Sequence, residues 1–366
     1  MKAVFALPLL LTAPLAAETI CPPPPPCAFL PVNRPCVKDI CALEQSDLYI
    51  QLSFLYWLAE ERGLEYCMKN TNALLDAQMT LYKPVFEWQP AFRLVLGSYL
   101  PKDNWSIDAS YSFYLQNIRS AAKDNFSQGP FGLLSVWTSP DAFVSSNFYA
   151  LWQRADTYWK LHGYFFDLMV RNNLCNSPAL SIQPAFGLKM AILQQRYEVR
   201  YKFGNTITTT GVAENLISSS INLKNRSFNI GPSVACGTHW SLDGHWSFNG
   251  TIGGSILASN FGVGRHEFDV SSTAETQIGT YRFNDDFWTW RPQASLVLGA
   301  EWSDCACSPI KVIHYGLKAS YEMQYWWKQN MMLRHIDAPI PQSHTLAPLQ
   351  GDLIFQGLTV DLFFDF

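Results

Sequence analysis

The stretch WSIDASYSFYLQ, residues 105–116, decides the fold. Trp105, Ile107, Ala109, Tyr111, Phe113 and Leu115 are apolar, and between them lie Ser106, Asp108, Ser110, Ser112, Tyr114 and Gln116. Successive side chains of an extended chain point to opposite faces, so this alternation describes a strand with one apolar and one polar side. The polar side is mostly small residues, where the wet face of a soluble sheet would carry Lys and Glu.

The same period recurs in LYIQLSFLYWLA (48–59), LSIQPAFGLKMAI (180–192), WSFNGTIGGSILA (246–258) and IHYGLKASYEMQYWW (313–327). A soluble β-sandwich also alternates, but these runs reach roughly 12–16 residues against the usual 5–6. A tilted transmembrane strand needs about 9–11 residues, one face toward lipid and the other toward a lumen.

The pattern predicts strands near 48–59, 84–100, 105–116, 157–171, 180–195, 225–239, 245–258, 288–302, 310–327 and 351–366. The gaps alternate. Residues 60–83, 117–156, 196–224, 259–287 and 328–350 are long, whereas 101–104, 172–179, 241–244 and 303–309 are short. Outer-membrane barrels have an even strand number, short periplasmic turns and long external loops. The fold class expected is therefore all-β: a transmembrane antiparallel up-and-down β-barrel of ten clear strands. Hairpins hidden in the long gaps would raise the count toward 16, within the range known for such barrels. Trp105, Trp240, Trp246 and Trp302 sit beside short turns, where an interfacial aromatic girdle belongs.

Composition agrees. Charged residues make up 15% of the 366 and aromatics 14%, with a formal net charge of −4. Soluble domains carry roughly 25% charged residues. No basic excess suggests nucleic acid as a partner. The start, MKAVFALPLLLTAPLAAETIC, has a basic residue, an apolar core and Ala16-Ala17 before Glu18, the form of a cleaved signal peptide over residues 1–17. Its apolar run is too short to span a bilayer. Cys21 raises lipid modification as an alternative, although ETIC lacks the small residue expected before such a cysteine. Residues 18–46, with CPPPPPC, read as a stiff Cys/Pro-rich periplasmic tail, and 47–366 as the barrel.

The nine cysteines of an exported chain point to disulfide chemistry, with an odd one left over. On this topology Cys21, Cys27, Cys36, Cys41, Cys175, Cys305 and Cys307 fall on the periplasmic side, Cys67 in an external loop and Cys236 on the lipid face. The seven are cross-link candidates, either within the chain or to other envelope proteins. No phosphate-binding loop, HExxH or GxSxG is present, so no enzyme, cofactor or metal is expected. His239 and His245 flank a turn without a third ligand, and Cys305 with Cys307 favours disulfide chemistry over a soft metal.

Arg93, Asp108, Lys189, Glu301, Lys318 and Glu322 fall on the lumen face as pore-lining candidates. Their mixed signs imply weak ion selectivity. Alternatively they pair across the lumen and plug it, since barrels of about eight strands are filled by side chains. Small inward residues favour an open pore.

Six segments in order resemble the major-outer-membrane-protein-like porins of Legionella and Chlamydiae-type bacteria. They are FLYWLAEERGLEY (54–66), PAFRLVLGSYLPKDNWSIDASYSFY (90–114), WKLHGYFFDLMVRNNL (159–174), LSIQPAFGLKMAILQQRYEVRY (180–201), YEMQYWWKQN (321–330) and GDLIFQGLTVDLFFDF (351–366). The resemblance implies a pore-forming outer-membrane barrel, often disulfide cross-linked. It also implies that Leu362, Phe364 and Phe366 form the C-terminal signal read by the outer-membrane assembly machinery. The expected function is diffusion of small hydrophilic solutes, with a possible structural role as a homo-oligomer or disulfide-linked envelope component. The alternative is a structural or adhesive barrel with a plugged lumen and its function in the external loops.

Overall fold

The computed structural model describes residues 48–70, 79–100, 105–124, 132–137, 149–177, 179–207, 215–242, 245–271, 277–307, 312–337 and 344–365. The expected signal peptide and Cys/Pro tail, with Cys21, Cys27, Cys36 and Cys41, and Phe366 lie outside them. In chain order the strands are β1 (Leu48–Glu61), β2 (Cys67–Asn70), β3 (Met79–Tyr82), β4 (Trp88–Tyr99), β5 (Trp105–Lys123), β6 (Leu133–Ser135), β7 (Tyr149–Asn172) and β8 (Leu174–Ser177). There follow β9 (Leu180–Ile207), β10 (Asn215–Ser241), β11 (Trp246–Ser271), β12 (Gln277–Cys307), β13 (Val312–Asn330), β14 (Leu333–Asp337), β15 (His344–Pro348) and β16 (Gly351–Asp365).

Strands β1, β4, β5, β7, β9, β10, β11, β12, β13 and β16 pair antiparallel in that order. The ring closes where β16 returns to β1, from Tyr49↔Asp365 to Glu61↔Leu353. All ten expected strands are present, and closure leaves the ring without a free edge. The remaining strands are short: β2, β3 and β6 extend from β7, β8 pairs with the start of β9, and β14 with β15 makes a separate hairpin.

Near the short turns the alternation faces apolar residues outward. On β1, Leu48, Ile50, Leu52, Phe54 and Tyr56 are exposed, while Ser53, Leu55 and Trp57 between them are buried inside. The outward set on β16 is Leu358, Val360 and Leu362, and Asp361 and Asp365 are buried within. Exposed apolar residues at this density suit a lipid neighbour, because water would penalise them at about 25 cal/mol per Å². Trp240 and Trp246 mark the short-turn edge of this band. At the opposite edge Tyr56 stacks on Trp88, and Trp288 and Trp290 are exposed on the outer face of β12.

Beyond the band the chain stays in strand but the phase inverts. Along β9, Phe186 and Leu188 face out at the lower level; above Ile192, Leu193, Tyr197, Val199 and Tyr201 become fully buried. Arg196, Glu198, Arg200 and Lys202 then take the outer face. On β7 the buried residues are Trp152, Ala155, Trp159 and Leu161, with Arg154, Asp156 and Lys160 between them. Polar-out and apolar-in is the pattern of a strand in water, so the wall continues past the membrane as a wet extension with a dry interior.

This corrects the expected loop lengths. Much of 196–224 and 259–287 is strand, not loop, because β9 to β12 run on through the inversion. The tryptophans also divide: Trp57, Trp137, Trp152, Trp159 and Trp326 lie fully buried inside the barrel, apart from the interfacial set.

Candidate functional site in the barrel lumen

All six pore-lining candidates point inward. Antiparallel register sets several side by side, in the row Glu301–Lys318–Asp361–Ser53–Arg93–Ser112 across β12, β13, β16, β1, β4 and β5. Signs alternate along that row, so cross-strand neighbours attract.

Four of the six stand in close ion pairs. Arg93 donates from both terminal nitrogens to Glu322, Nη1 to Oε2 and Nη2 to Oε1, each at 2.9 Å. Its Nε donates to Ser112 Oγ at 2.9 Å. This fork-to-carboxylate geometry is the strong form of an ion pair. Lys189 Nζ lies 2.6 Å from Asp167 Oδ1, and Arg171 Nε donates to Asp108 Oδ1 at 2.6 Å. Asp108 is 2% exposed and Glu322 4%. At the short-turn rim His314 meets Asp365 at 3.0 Å and His239 approaches Glu301 at 4.0 Å. Asp167, Arg171 and Asp361 also belong to this layer; the alternation of residues 358–366 already set Asp361 and Asp365 toward the lumen, whereas pattern reading did not single out Asp167 or Arg171. Each falls on the inward parity of its strand, which was signal enough.

Above the ion pairs lies an aromatic layer. Trp57, Tyr114, Phe165, Trp326 and Phe355 touch in a chain, with ring centroids 5.3–6.3 Å apart. Edge-to-face contacts recur, as the ring quadrupoles prefer. Arg93 sits 5.4 Å from the Trp57 ring centroid, tying the two layers together. None of the five aromatics is more than 2% exposed. Walls of a water-filled channel would be wet, and these are not. On the other side of the barrel the interior holds buried amides and hydroxyls: Gln329 donates to Ser227 at 2.6 Å, Asn225 to the Gln329 carbonyl at 2.9 Å, and Ser255 to Ser233 at 2.9 Å.

In the extension, inward-folded segments complete the filling. Tyr197 donates to the Leu64 carbonyl at 2.6 Å, Trp137 Nε1 to the Glu65 carbonyl at 2.6 Å, and Tyr201 to the Tyr66 carbonyl. Arg265 of β11 is buried. It donates to the Leu333 carbonyl at 3.1 Å, to the Trp137 carbonyl, and to Glu267 at 2.6 Å. Beside them Asp269 is buried, and burial first, then the Glu267 charge, push its carboxyl up to about 7. Glu61 at the inner top of β1 accepts from Gln195 at 2.8 Å; burial pushes it up to about 8.

The cysteines fall as follows. Cys67 is buried in β2 at the long-loop end, and Cys236 is exposed on the outer face of β10. Both are free thiols. Cys175, Cys305 and Cys307 lie at the short-turn end, on the backbone of β8 and β12 rather than in turns. Among the described residues no three His, Cys, Asp or Glu side chains converge on a metal-sized site. His239 and His245 address different carboxylates, Glu301 and Asp304.

No protein-family model matches the chain, and no curated protein matches it in sequence. Among solved structures it is similar to the Escherichia coli outer-membrane protease OmpT, at 12% identity over 87% of this chain and 96% of that one, TM-score 0.40. A Pseudomonas aeruginosa FadL homologue follows at 9% identity, 87% and 90% coverage and TM-score 0.23. The Pseudomonas putida toluene transporter TodX gives 8%, 90% and 92%, and 0.22. All are outer-membrane barrels, and likeness at this level carries no activity from them to this chain.

Proposed function

We propose that the protein is an outer-membrane barrel whose lumen its own side chains close, a non-enzymatic structural and surface-exposed component of the envelope. The observation that carries this is the dry aromatic layer of Trp57, Tyr114, Phe165, Trp326 and Phe355 lying on the Arg93–Glu322 pair. Ten strands lie close to the size at which side chains fill a barrel, and far from the 16–18 strands of open porins. The extension then holds the external surface rigidly above the bilayer.

In this reading the signal over 1–17 exports the chain and the assembly machinery inserts it through the end marked by Leu362, Phe364 and Phe366. Cysteines of the 18–46 tail, with Cys175, Cys305 and Cys307, cross-link the periplasmic side to itself, to another copy or to other envelope proteins. Kinship with the major-outer-membrane-protein-like porins fits the same placement, but the pore that such kinship implies requires water where the aromatic layer stands. Proteoliposome swelling in small sugars tests the choice: no uptake above empty liposomes is expected, and uptake graded by solute size would establish the diffusion pore instead.

A further inference from the structure

The outer wall of the extension, just above the lipid band, carries a concentration of positive charge that the closed lumen does not use. Register sets Lys160 of β7, Arg196 of β9 and Lys224 of β10 directly abreast on neighbouring strands. Like charges abreast on adjacent strands repel, and strands stand only about 4.8 Å apart. Arg196 is partly answered by Glu198 at 3.7 Å and by Asn222, to which it donates at 3.1 Å. Lys160, Lys224 and Arg282 have no carboxylate partner among the described residues. Asp286, abreast of Gly262 on the next outward step below, is an exposed carboxylate on that side of the row.

The row also has a receptacle. Arg196, Asn222, Lys224, His266, Arg282 and Asn284 line a groove of about 460 Å³, with Gly264 in its wall. Gly264 lies across from Lys224 on one side and Asn284 on the other. A Cβ there would stand 2.9 Å from Asn284 Oδ1, so glycine keeps the groove open. Directly below on β10, Arg226 is followed by the exposed Phe228, the first outward apolar side chain of the lipid band. At about 3.3 Å per residue along a strand tilted near 40°, Lys224 sits roughly 10 Å above Phe228. That is headgroup height for a molecule whose acyl chains lie against the band.

We propose that this groove seats the phosphorylated headgroup of an outer-leaflet glycolipid, its phosphate held by Arg196, Lys224 and Arg282 and its acyl chains laid along the apolar stripe below. Arg presents a planar fork to phosphate and Lys a point charge, and the amides of Asn222 and Asn284 suit sugar hydroxyls. The lipid is favoured over free phosphate because the groove lies on the outer wall above the apolar stripe, so the membrane itself supplies the ligand at high local concentration. The inference rests on the outer-membrane placement and deepens it.

The test uses full-length protein in neutral detergent with three probes: a bisphosphorylated diglucosamine lipid in mixed micelles, the same lipid without phosphates, and inorganic phosphate. Native mass spectrometry reads lipid adducts against probe concentration. The expected result is saturable binding of the phosphorylated lipid, at least tenfold weaker binding of the dephosphorylated one, and no competition by millimolar phosphate. Each basic residue at an anionic headgroup is worth about fivefold, so R196Q/K224Q/R282Q loses on the order of 100-fold. Far-UV circular dichroism and the heat-dependent gel shift establish that the variant is folded. Gly264→Val, which leaves every charge in place, narrows the groove and weakens binding as well. Equal binding of the two lipids, or unchanged binding by the folded triple variant, overturns the proposal. Competition by phosphate as tight as the lipid overturns the lipid as its source. Sedimentation of cell membranes is read separately: absence from washed outer membranes would remove the placement, whereas presence there with no lipid binding would remove the groove alone.

Discussion

Arg93→Met is the sharpest perturbation of the closed lumen. The guanidinium makes two 2.9 Å bonds to Glu322 and one to Ser112, and sits over Trp57. Removing it leaves the Glu322 carboxylate buried with Gln324 at 2.9 Å, the long Thr359 contact at 3.4 Å and the more distant Lys189 charge to answer it. Asp361, also buried, loses the Arg93 charge as well and keeps Lys318 abreast of it. Breaking one side of a buried ion pair costs about 3–5 kcal/mol, whereas replacing both partners by apolar groups of similar size is often near neutral. Arg93→Met is therefore expected to lose about 3–5 kcal/mol, and Arg93→Met with Glu322→Met at most about 1 kcal/mol. Glu322→Gln should be milder than Arg93→Met, because the guanidinium keeps Ser112 and lies near Asp361. The assay is urea unfolding of the refolded protein in lipid vesicles, followed by tryptophan fluorescence as a double-mutant cycle. Additive losses in the double variant would refute the pairing and with it the electrostatic half of the closure.

Trp57→Ala removes the hub of the aromatic layer and should cost about 3–5 kcal/mol in the same unfolding assay; a loss below about 1 kcal/mol would mean that the layer is loosely packed. Asp269→Asn probes the buried carboxyl of the extension. With its pKa raised to about 7 in the fold, against 3.8 as the ordinary value, the unfolded chain ionises first, so Asp269 costs stability increasingly as pH climbs from about 4 to 7. The Asn variant should therefore melt higher than wild type at pH 8 and alike at pH 4, and a lower melting temperature at pH 8 would contradict the assignment. Deleting Phe366 should cut the amount recovered in washed outer membranes several-fold without lowering synthesis; undiminished insertion would remove it from the assembly signal.

The barrel was legible because lipid and lumen impose opposite demands on alternate residues over a whole strand, as in residues 105–116. Ten strands and their parity followed from that period and the gap lengths alone. The extension was less legible, since residues 193–202, LQQRYEVRYK, still alternate but with the apolar set moved to the other face. Period two survives the change of surroundings while phase does not, and a reading keyed to one phase ends the strand where the lipid ends. Inward parity sufficed to place Arg93, Asp108, Lys189, Glu301, Lys318 and Glu322. It could not tell pore lining from plug, because pairing of Arg93 with Glu322 joins residues 229 positions apart in the sequence. Trp57 and Phe355 were hidden for a related reason: an inward aromatic resembles any other strand aromatic until the facing strands are known to bring Tyr114 and Phe165 to it.

The central claim is that side chains close the lumen, and single-channel recording in planar bilayers tests it most directly. Purified full-length protein, its folding established by the heat-dependent gel shift, is predicted to insert without stepwise conductance across independent preparations. Reproducible steps of uniform size from the folded protein, lost when the sample is heat-unfolded first, would contradict it.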